Sequence, residues 1–171
     1  MDIPVIETER LRLRGLGPDD VGAVAAFYAS DRAKYVGGPK TLDASWRAVA
    51  TEIGHWTLKG FGRFAIEEKA TGAFVGVTGP WEPPSFPEPE LGWDLMEGFE
   101  GKGYATEAAA AARDWCYRAL GLATLISAVN PLNAASARVA ERLGAAHESD
   151  FEHELFGLVQ IWRHPGPEAS S

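Results

Sequence analysis

Residues 99–108, FEGKGYATEA, place two glycines and a lysine directly in front of a run of alanines. The first turn of a helix has backbone N–H groups without intrahelical partners, and the aligned peptide dipoles add partial positive charge there. Gly101 and Gly103 lack the Cβ atoms that would keep an anion away from that backbone, and Lys102 adds a positive charge. This stretch therefore predicts either a phosphate site or a plain helix cap, and both interpretations are open from these residues alone.

Two common phosphate motifs are excluded at this loop. Lys102 is followed by glycine, so the stretch lacks the serine or threonine that ends a P-loop, G-x-x-x-x-G-K-[ST]. Thr106 stands where a dinucleotide-binding G-x-G-x-x-G motif has its third glycine. The sequence supports neither a P-loop nucleotidase nor a Rossmann site.

Composition indicates one soluble globular domain spanning 1–171, and its end, 164–171, is expected to be a frayed tail. The 171 residues are 46% apolar and 23% charged, and no apolar run approaches the roughly 20 residues that span a bilayer. The net charge of −8 argues against nucleic-acid binding, which needs a basic face. The single cysteine, Cys116, excludes an internal disulfide and favours a buried thiol. With no secretory signal in MDIPVIETER, a cytoplasmic location is expected.

Periodicity and turn residues predict an alternation of strands and helices that positions this loop. Helices are predicted at 17–30, 41–59, 104–120 and 133–143, where glycines or capping residues mark the ends. Strands are predicted at 10–14, 62–67, 74–78, 90–96 and 122–129, with two more within 145–163 and a proline-rich loop at 80–89. This order predicts a mixed α/β fold in which helices flank one central sheet.

Three motifs in this order resemble those of the GNAT superfamily of acetyl-CoA-dependent N-acetyltransferases. They are T-x-R-L-x-L-R at 8–14, G-K-G-Y-A-T-E-A at 101–108 and N-x-x-S-x-R-V…L-G at 133–144. The resemblance covers about residues 7–163 and is greatest to the branch of the ribosomal-protein-alanine N-acetyltransferases. It implies a mostly antiparallel central sheet with a splayed strand pair that forms a slot for acetyl-CoA, and it implies no metal.

The resemblance also implies which residues bind the co-substrate. Backbone amides of the glycine-rich loop would bind the CoA pyrophosphate, and the pantetheine arm would pair with the strand backbone around Trp93 to Leu95. Glu100 stands where the family usually has Gln, Arg or Trp, so we expect its carboxylate to face solvent and only its amide to be used. The cofactor-binding residues implied are Trp93, Leu95, Glu100, Gly101, Lys102, Gly103, Tyr104, Ala105, Thr106, Asn133 and Arg138.

The second motif helix, at 133–143, supplies a polar pair. By resemblance, Asn133 contacts the pantetheine and Ser136 lies near the thioester sulfur as a general acid; as plain helix residues, Asn133 is a cap and Ser136 incidental. Many family members have a tyrosine acid where this chain has Ala140. Arg138 and Arg142 are candidates for the nucleotide phosphates, or they are solvated surface residues.

An alkylamine is charged at neutral pH and must lose a proton before it attacks the thioester. Glu90 starts the strand along the slot, where the superfamily often has a glutamate base, and it is the catalytic residue expected together with Ser136. Glu88, Asp94, His55 and a water chain are the alternatives. The acceptor pocket is expected to have an aromatic wall, made of Trp46, His55, Trp56, Trp81 and Phe86.

The first hypothesis is therefore a cytoplasmic N-acetyltransferase that moves acetyl from acetyl-CoA to a primary amine by direct attack in a ternary complex. The amine would be a protein N-terminus or a small molecule, and neither nucleic acid nor membrane is an expected partner. The alternative is a catalytically silent acyl-CoA-sensing module, and the third possibility is a domain whose glycine-rich loop is only a cap. The acceptor, the oligomeric state and the identity of the base stay open at this point.

Overall fold

The computed structural model describes residues 2–167, and this part of the chain forms eight strands and four α-helices. The strands are β1 (Ile6–Glu7), β2 (Leu11–Arg14), β3 (Phe64–Glu68), β4 (Phe74–Trp81), β5 (Glu90–Leu95), β6 (Ile126–Val129), β7 (Ala146–His153) and β8 (Gly157–Arg163). The helices are α1 (Val21–Ala29), α2 (Leu42–Lys59), α3 (Tyr104–Leu120) and α4 (Ala134–Arg142). The predicted order is confirmed, and β1 is an addition to it.

All strands lie in one sheet of order β1-β2-β3-β4-β5-β6-β8-β7. Every neighbouring pair is antiparallel except β5 and β6, which are parallel. β5 pairs with β4 from Glu90 to Leu95, but it pairs with β6 only at Glu90↔Ile126. The two parallel strands therefore separate immediately beyond Glu90, and the predicted mixed, mostly antiparallel α/β fold with a splayed pair is confirmed.

Local signals explain where the two longest helices begin and end. The Thr41 side chain accepts a hydrogen bond from the Ala44 N–H at the start of α2, and Gly60 ends this helix with φ 78°. Gly103 and Gly121 bound α3 with φ 80° and 67°, a left-handed conformation that costs other residues about 1–2 kcal/mol. Ala105, Ala108, Ala109 and Ala112 lie on the buried face of α3, so the helix packs closely on the sheet.

Several predicted boundaries differ from the structure. β4 continues to Trp81, so the proline-rich loop begins later than position 80, and β6 begins at Ile126 rather than Leu122. The tail expected to fray from residue 164 is ordered at its start, because His164 is only 2% exposed and its N–H donates to the Leu125 carbonyl. The remainder of that predicted tail, 168–171, lies outside the described residues.

Two further expectations can be compared with residues 2–167. Cys116 is fully buried on α3, as predicted, and burial raises the pKa of its thiol to about 12. Among the helices of this part of the chain, none combines the length and the apolar composition needed to cross a membrane.

Candidate active site

The loop between β5 and α3 presents a row of unused backbone donors. Gly98, Gly101 and Gly103 all have positive φ, which turns the chain sharply before the helix. The first hydrogen bond of α3 runs from the Glu107 N–H to the Gly103 carbonyl at 3.0 Å. Within residues 2–167, the N–H groups of 101–106 donate to no backbone or side-chain acceptor. This is the arrangement that binds an anion at a helix N-terminus.

Arg10 holds the acidic residue in the first turn of α3 away from this row of donors. The Arg10 N–H and Nε donate to the two carboxylate oxygens of Glu107 at 2.9 and 2.7 Å, and the Thr8 hydroxyl donates to the same carboxylate at 2.6 Å. Burial alone would raise the pKa of Glu107, but these hydrogen bonds outweigh it and hold the pKa below its ordinary value. The first and second sequence motifs therefore meet here.

The same arginine also positions the loop itself. Arg10 Nη1 donates to the Lys102 carbonyl at 2.9 Å, and the Arg10 guanidinium lies 4.6 Å from the centre of the Tyr104 ring. Lys102 Nζ lies 5.8 Å from the same ring centre, on an exposed side chain. Two cationic groups thus flank the amide donors, which favours a phosphate ligand over a neutral one.

Glu100 is turned back onto its own loop. Its carboxylate accepts a hydrogen bond from the Gly98 N–H at 2.8 Å and forms an ion pair with Arg32, and 43% of the side chain is exposed. Arg32 Nη2 also donates to the Leu95 carbonyl at 2.8 Å. The carboxylate therefore has partners other than solvent, and the Leu95 carbonyl is already occupied. Arg32 is a residue that the sequence analysis missed.

The edge of β5 that faces the gap has backbone groups without a strand partner. The Ser127 hydroxyl, on β6, donates to the Leu91 carbonyl at 2.6 Å, so the backbone of Leu91 points toward β6. Alternation along a strand gives Trp93 and Leu95 the same direction. Since β5 and β6 pair only at Glu90↔Ile126, the backbone of Trp93 faces an open slot, as expected for an added extended ligand.

A buried network fixes the width of the slot at its closed end. His164 Nε2 lies 2.8 Å from Ser127 Oγ, and His164 Nδ1 lies 3.3 Å from Arg113 Nη1. Because Ser127 donates to the Leu91 carbonyl, the His164 Nε2–H must donate to Ser127 and Nδ1 must accept from Arg113. Burial and then the charge of Arg113 lower the pKa of His164 to about 3, so this ring is neutral.

A cavity of about 450 Å³ opens beside the slot, between β5, β6, α2 and the β7–β8 loop. Aromatic and charged side chains share its wall. They include Tyr28, Tyr35, Trp81, Phe86, Trp93 and Phe156, together with Lys40, Glu52, Arg63, Glu90 and Asp94. An aromatic wall that carries carboxylates suits a cationic organic ligand.

Glu90 lies where the slot and the cavity meet. Its Oε2 accepts a hydrogen bond from the Ala128 N–H at 3.1 Å, and a Cβ at Gly92 would lie 3.2 Å from Oε1. The glycine thus leaves room in front of this oxygen. Burial raises the pKa of Glu90 to about 7 in spite of the hydrogen bond from Ala128. A carboxylate with this pKa takes up and releases a proton near neutral pH.

The alternative bases have other partners. Glu88 binds Arg163 through both carboxylate oxygens and does not line the cavity. His55 Nδ1 donates to the Phe61 carbonyl at 2.7 Å, and its Nε2 accepts from the Glu82 N–H at 3.0 Å, so neither ring nitrogen is available. Asp94 lines the cavity but forms an ion pair of 2.5 Å with Arg63.

Glu52, Arg63 and Asp94 form a largely buried cluster, of which only Asp94 was predicted, as an alternative base. Arg63 donates to Asp94 Oδ2 at 2.5 Å and to Glu52 Oε1 at 3.3 Å. Burial raises the pKa of Glu52 to about 7 although Arg63 opposes the shift. Nothing in the sequence marks Glu52 or Arg63, because one lies in the middle of a long polar helix and the other precedes a strand.

The polar pair at the head of α4 reaches the cavity. Asn133 Oδ1 accepts from the Ser136 N–H at 3.2 Å, so Asn133 caps the helix, and both side chains line the cavity wall. The Ser136 hydroxyl has no hydrogen-bond partner within residues 2–167. Ala140 is fully buried and offers no hydroxyl in place of the tyrosine. Arg138 is exposed.

Two of the five side chains predicted for the aromatic wall of the acceptor pocket line this cavity. Trp81 and Phe86 line the cavity. Trp56 is wrong because it packs in the core against Phe64, at 5.0 Å between ring centres, and Trp46 is wrong because it is 57% exposed on the outer face of α2. His55 is also wrong, since it is buried beneath Trp81 at a ring-centre distance of 4.5 Å.

No cluster of three or more His, Cys, Asp or Glu side chains suited to a metal ion occurs within the described range 2–167.

Comparison with known proteins agrees with this fold. A family model described as an acetyltransferase (GNAT) domain matches residues 10–146. A crystal structure of an acetyltransferase from Agrobacterium tumefaciens superposes with a TM-score of 0.88 and 41% identity, covering 96% of this chain and 95% of that one. The uncharacterized protein YkkB of Bacillus subtilis is 30% identical over 146 residues, 80% of this chain and 82% of its own.

A less similar solved structure contains bound coenzyme A. The structure of RimL, a ribosomal alpha-N-protein acetyltransferase in complex with coenzyme A, has a TM-score of 0.74 to this chain. It is 18% identical, and the match covers 95% of this chain and 98% of RimL. At this identity the likeness is one of fold.

Proposed function

The chain belongs to the GNAT acetyltransferase family and is an acyltransferase, and we propose that it transfers the acetyl group of acetyl-CoA to a primary amine. The whole chain acts as one acetyltransferase domain, and the amine is a protein N-terminus or a small molecule. Acetyl-CoA and the amine are bound together, and the amine attacks the thioester directly. The observation that carries this proposal is the row of unused amide donors at 101–106, directly after a strand whose edge is open.

Acetyl-CoA binding would use the loop and the slot together. The amides of 101–106 receive the pyrophosphate, with Arg10 and Lys102 as flanking charges, and the pantetheine arm pairs with the free backbone edge at Trp93. Asn133 contacts the arm from the head of α4, and Arg138 meets the nucleotide phosphates. Of the predicted set, Leu95 contributes only its N–H, because its carbonyl is bound by Arg32.

The transfer itself would need one base and one oxyanion donor. Glu90 accepts the proton of the bound ammonium, and the neutral nitrogen then attacks the carbonyl carbon of the thioester. A backbone N–H of the open β5 edge stabilises the negative charge on the carbonyl oxygen. The carbon–sulfur bond breaks as the intermediate collapses, and the thiolate of CoA leaves, with Ser136 as the proton donor.

Ser136 is tested separately, because a thiol with a pKa of about 8.5 can leave as its thiolate without protonation by an acid. We expect Ser136→Ala to lower kcat by about tenfold with little change in the KM for acetyl-CoA. An unchanged kcat would show that the thiolate leaves unprotonated.

The experiment for the whole proposal is a turnover screen. Thiol release from acetyl-CoA is measured against peptides with varied N-termini and against small primary amines, and thermal stabilisation by CoA is measured in parallel. We expect CoA to raise the melting temperature and at least one amine to accelerate thiol release. Stabilisation without release for any amine would instead support the silent sensing module. Absence of stabilisation would overturn the proposal.

A further inference from the structure

His153, at the end of β7, has a buried ring whose tautomer is fixed by its neighbours. The residue is 2% exposed, and its Nδ1 accepts hydrogen bonds from the Leu155 N–H at 3.1 Å and the Phe156 N–H at 3.3 Å. A nitrogen that accepts two hydrogen bonds carries no proton, so the ring proton is on Nε2. This Nε2–H is inaccessible to solvent and has no acceptor within residues 2–167. The ring therefore makes hydrogen bonds on one side only.

Packing alone does not account for a histidine at this position. A phenylalanine ring would fill nearly the same space without burying an unpaired N–H, which is unfavourable. What a phenylalanine lacks is the Nδ1 acceptor. Outside the strand ladder, the amides of Leu155 and Phe156 have no other acceptor in the described part of the chain. The property that distinguishes His153 thus acts on the turn 154–156 between β7 and β8.

The ring of His153 also lies between two phenylalanines of the cavity wall. Phe86, in the loop between β4 and β5, and Phe156, in the turn, each have a ring centre 4.7 Å from that of His153. Both phenylalanines line the cavity, whereas His153 does not. One residue behind the wall therefore contacts two of the segments that form it.

The turn 154–156 covers the outer side of the cavity. Leu155 and Phe156 line the cavity although they are 77% and 37% exposed, as expected at its opening to solvent. Phe156 Cε1 lies 3.2 Å from the position of a Cβ at Gly37, in the segment between α1 and α2. The Gly37 carbonyl accepts a hydrogen bond from Lys40, which is also on the cavity wall. Phe156 thus reaches from the β7–β8 side of the cavity to the segment before α2.

We propose that His153 is a positioning residue for the acceptor: its Nδ1 holds the turn 154–156 so that Phe156 closes the outer side of the cavity against Gly37. This inference rests on the proposed function, which makes the cavity the acceptor site. With the turn released, Phe156 leaves Gly37 and water enters beside the bound amine. The attraction between the ammonium and the cavity carboxylates then weakens, because the local dielectric constant is higher. The KM for the amine rises, while acetyl-CoA, bound at the loop and the slot, is not affected.

The first test is independent of the acceptor. In the nitrogen NMR spectrum of the isotope-labelled protein at mildly alkaline pH, His153 should carry its proton on Nε2 and none on Nδ1. The amides of Leu155 and Phe156 should exchange their hydrogens about tenfold faster in His153→Phe than in the wild type. His153→Asn places an amide oxygen near the position of Nδ1 and should restore part of this protection. A proton on Nδ1, or equal exchange in the wild type and His153→Phe, would overturn the inference.

The second test is kinetic and uses the amine that gives the fastest thiol release in the turnover screen. We expect His153→Phe to raise the KM for this amine by about five- to tenfold, while kcat and the KM for acetyl-CoA stay within about twofold. The midpoint of urea unfolding should not fall, because the substitution removes a buried unpaired donor together with the acceptor. An unchanged KM for the amine, or an equal rise in both KM values, would show that His153 has only a structural role.

His147→Phe is the matched control for both tests. His147 lies on the same strand, is exposed and pairs with Asp150 away from the cavity, so its substitution should change neither KM nor the exchange of the turn amides. Should His153→Phe fold poorly, His153→Asn decides: turn amides that lose their protection without a rise in the KM for the amine would contradict the inference. If no amine accelerates thiol release, the proposed function fails, and the amide exchange still decides whether His153 holds the turn.

Discussion

The Ala128 N–H donates to Glu90 Oε2 at 3.1 Å across the gap where β5 and β6 part. This bond takes the place of the next rung of the parallel ladder, since the last backbone pair is Glu90↔Ile126. One carboxylate oxygen thus ties the two strands together, and the other is left facing the space above Gly92. Glu90, the candidate base, is therefore also the residue at which the slot begins.

Removal of the carboxylate at Glu90 is the most direct test of its role. We expect Glu90→Gln to lower turnover by about 10²- to 10⁴-fold, the usual contribution of a general base, because an amide cannot accept the proton of the ammonium. CoA binding, measured by thermal stabilisation, should be retained. Glu88→Gln is the matched control, since Glu88 pairs with Arg163 away from the cavity, and its turnover should stay within about twofold. Equal turnover in Glu90→Gln and Glu88→Gln would exclude Glu90 as the base.

The raised pKa of Glu90 predicts a pH profile. The carboxylate is the active form, and a pKa of about 7 means that it becomes ionised as the pH rises through 7. We expect kcat/KM for the amine to rise from pH 5.5 and to bend near pH 7. The bend should disappear in Glu90→Gln and persist in Glu52→Gln, although burial gives Glu52 a similar pKa. Loss of the bend in Glu52→Gln alone would assign the proton transfer to Glu52.

The same shift predicts a pH-dependent stability. Between pH 4.5 and about 7 the unfolded chain ionises Glu90 while the folded protein keeps it protonated, so this residue lowers the free energy of unfolding as the pH rises. At 1.36 kcal/mol per pKa unit, the free energy of unfolding of Glu90→Gln relative to the wild type should be about 2 kcal/mol higher at pH 8 than at pH 5.5. Urea unfolding of both proteins at the two pH values measures this. A gain independent of pH would contradict it.

Substitutions at two glycines, one near each end of α3, distinguish an effect on ligand binding from an effect of backbone strain. Gly101 and Gly121 have φ 73° and 67°, and a Cβ at either would meet no atom within 4 Å. Alanine at each should cost about 1–2 kcal/mol through the left-handed conformation, seen as a fall of several degrees in melting temperature. Only Gly101→Ala should weaken the binding of CoA, by about tenfold, because its methyl group lies beside the amide donors. Equal CoA affinity in the two variants would show that the loop is a plain cap.

Ser127 is expected to act as a positioning residue. Ser127→Ala leaves the Leu91 carbonyl and the His164 Nε2–H unpaired in a buried place, which should cost about 1–3 kcal/mol in urea unfolding. We also expect the KM for acetyl-CoA to rise more than kcat falls, because the width of the slot is affected and the base is not. Ser127→Thr, which keeps the hydroxyl, should restore much of both. A fall in kcat alone would contradict this role.

The features that the sequence predicts correctly are those with a local signal. The ends of α3 were predicted because Gly103 and Gly121 adopt conformations that few other residues tolerate, and the amide donors follow from the helix start itself. The role of Glu90 as base stays a prediction, made from the family resemblance and from its place at the start of a strand. No local pattern distinguishes Glu90 from the other acidic residues nearby.

The rest of the site depends on contacts between distant parts of the chain. Arg10 and Glu107 are 97 residues apart, and they pair because the fold places β2 beside the head of α3, which no local pattern indicates. Glu52 and Arg63 face each other because α2 packs over β3, and the helix pattern alone does not show which polar residue turns inward. Trp56 was wrongly predicted to line the acceptor pocket for the same reason, since an aromatic residue on a helix suits the core and a pocket equally well.

His164 lies near the end of the described chain, yet it holds the two central strands at their working separation through Ser127. β8 pairs with the edge of β6 that faces away from β5, so β6 is held from that side as well. His164 itself is not part of the cavity wall. A substitution at His164 can therefore change the shape of the slot without removing any side chain that lines the cavity.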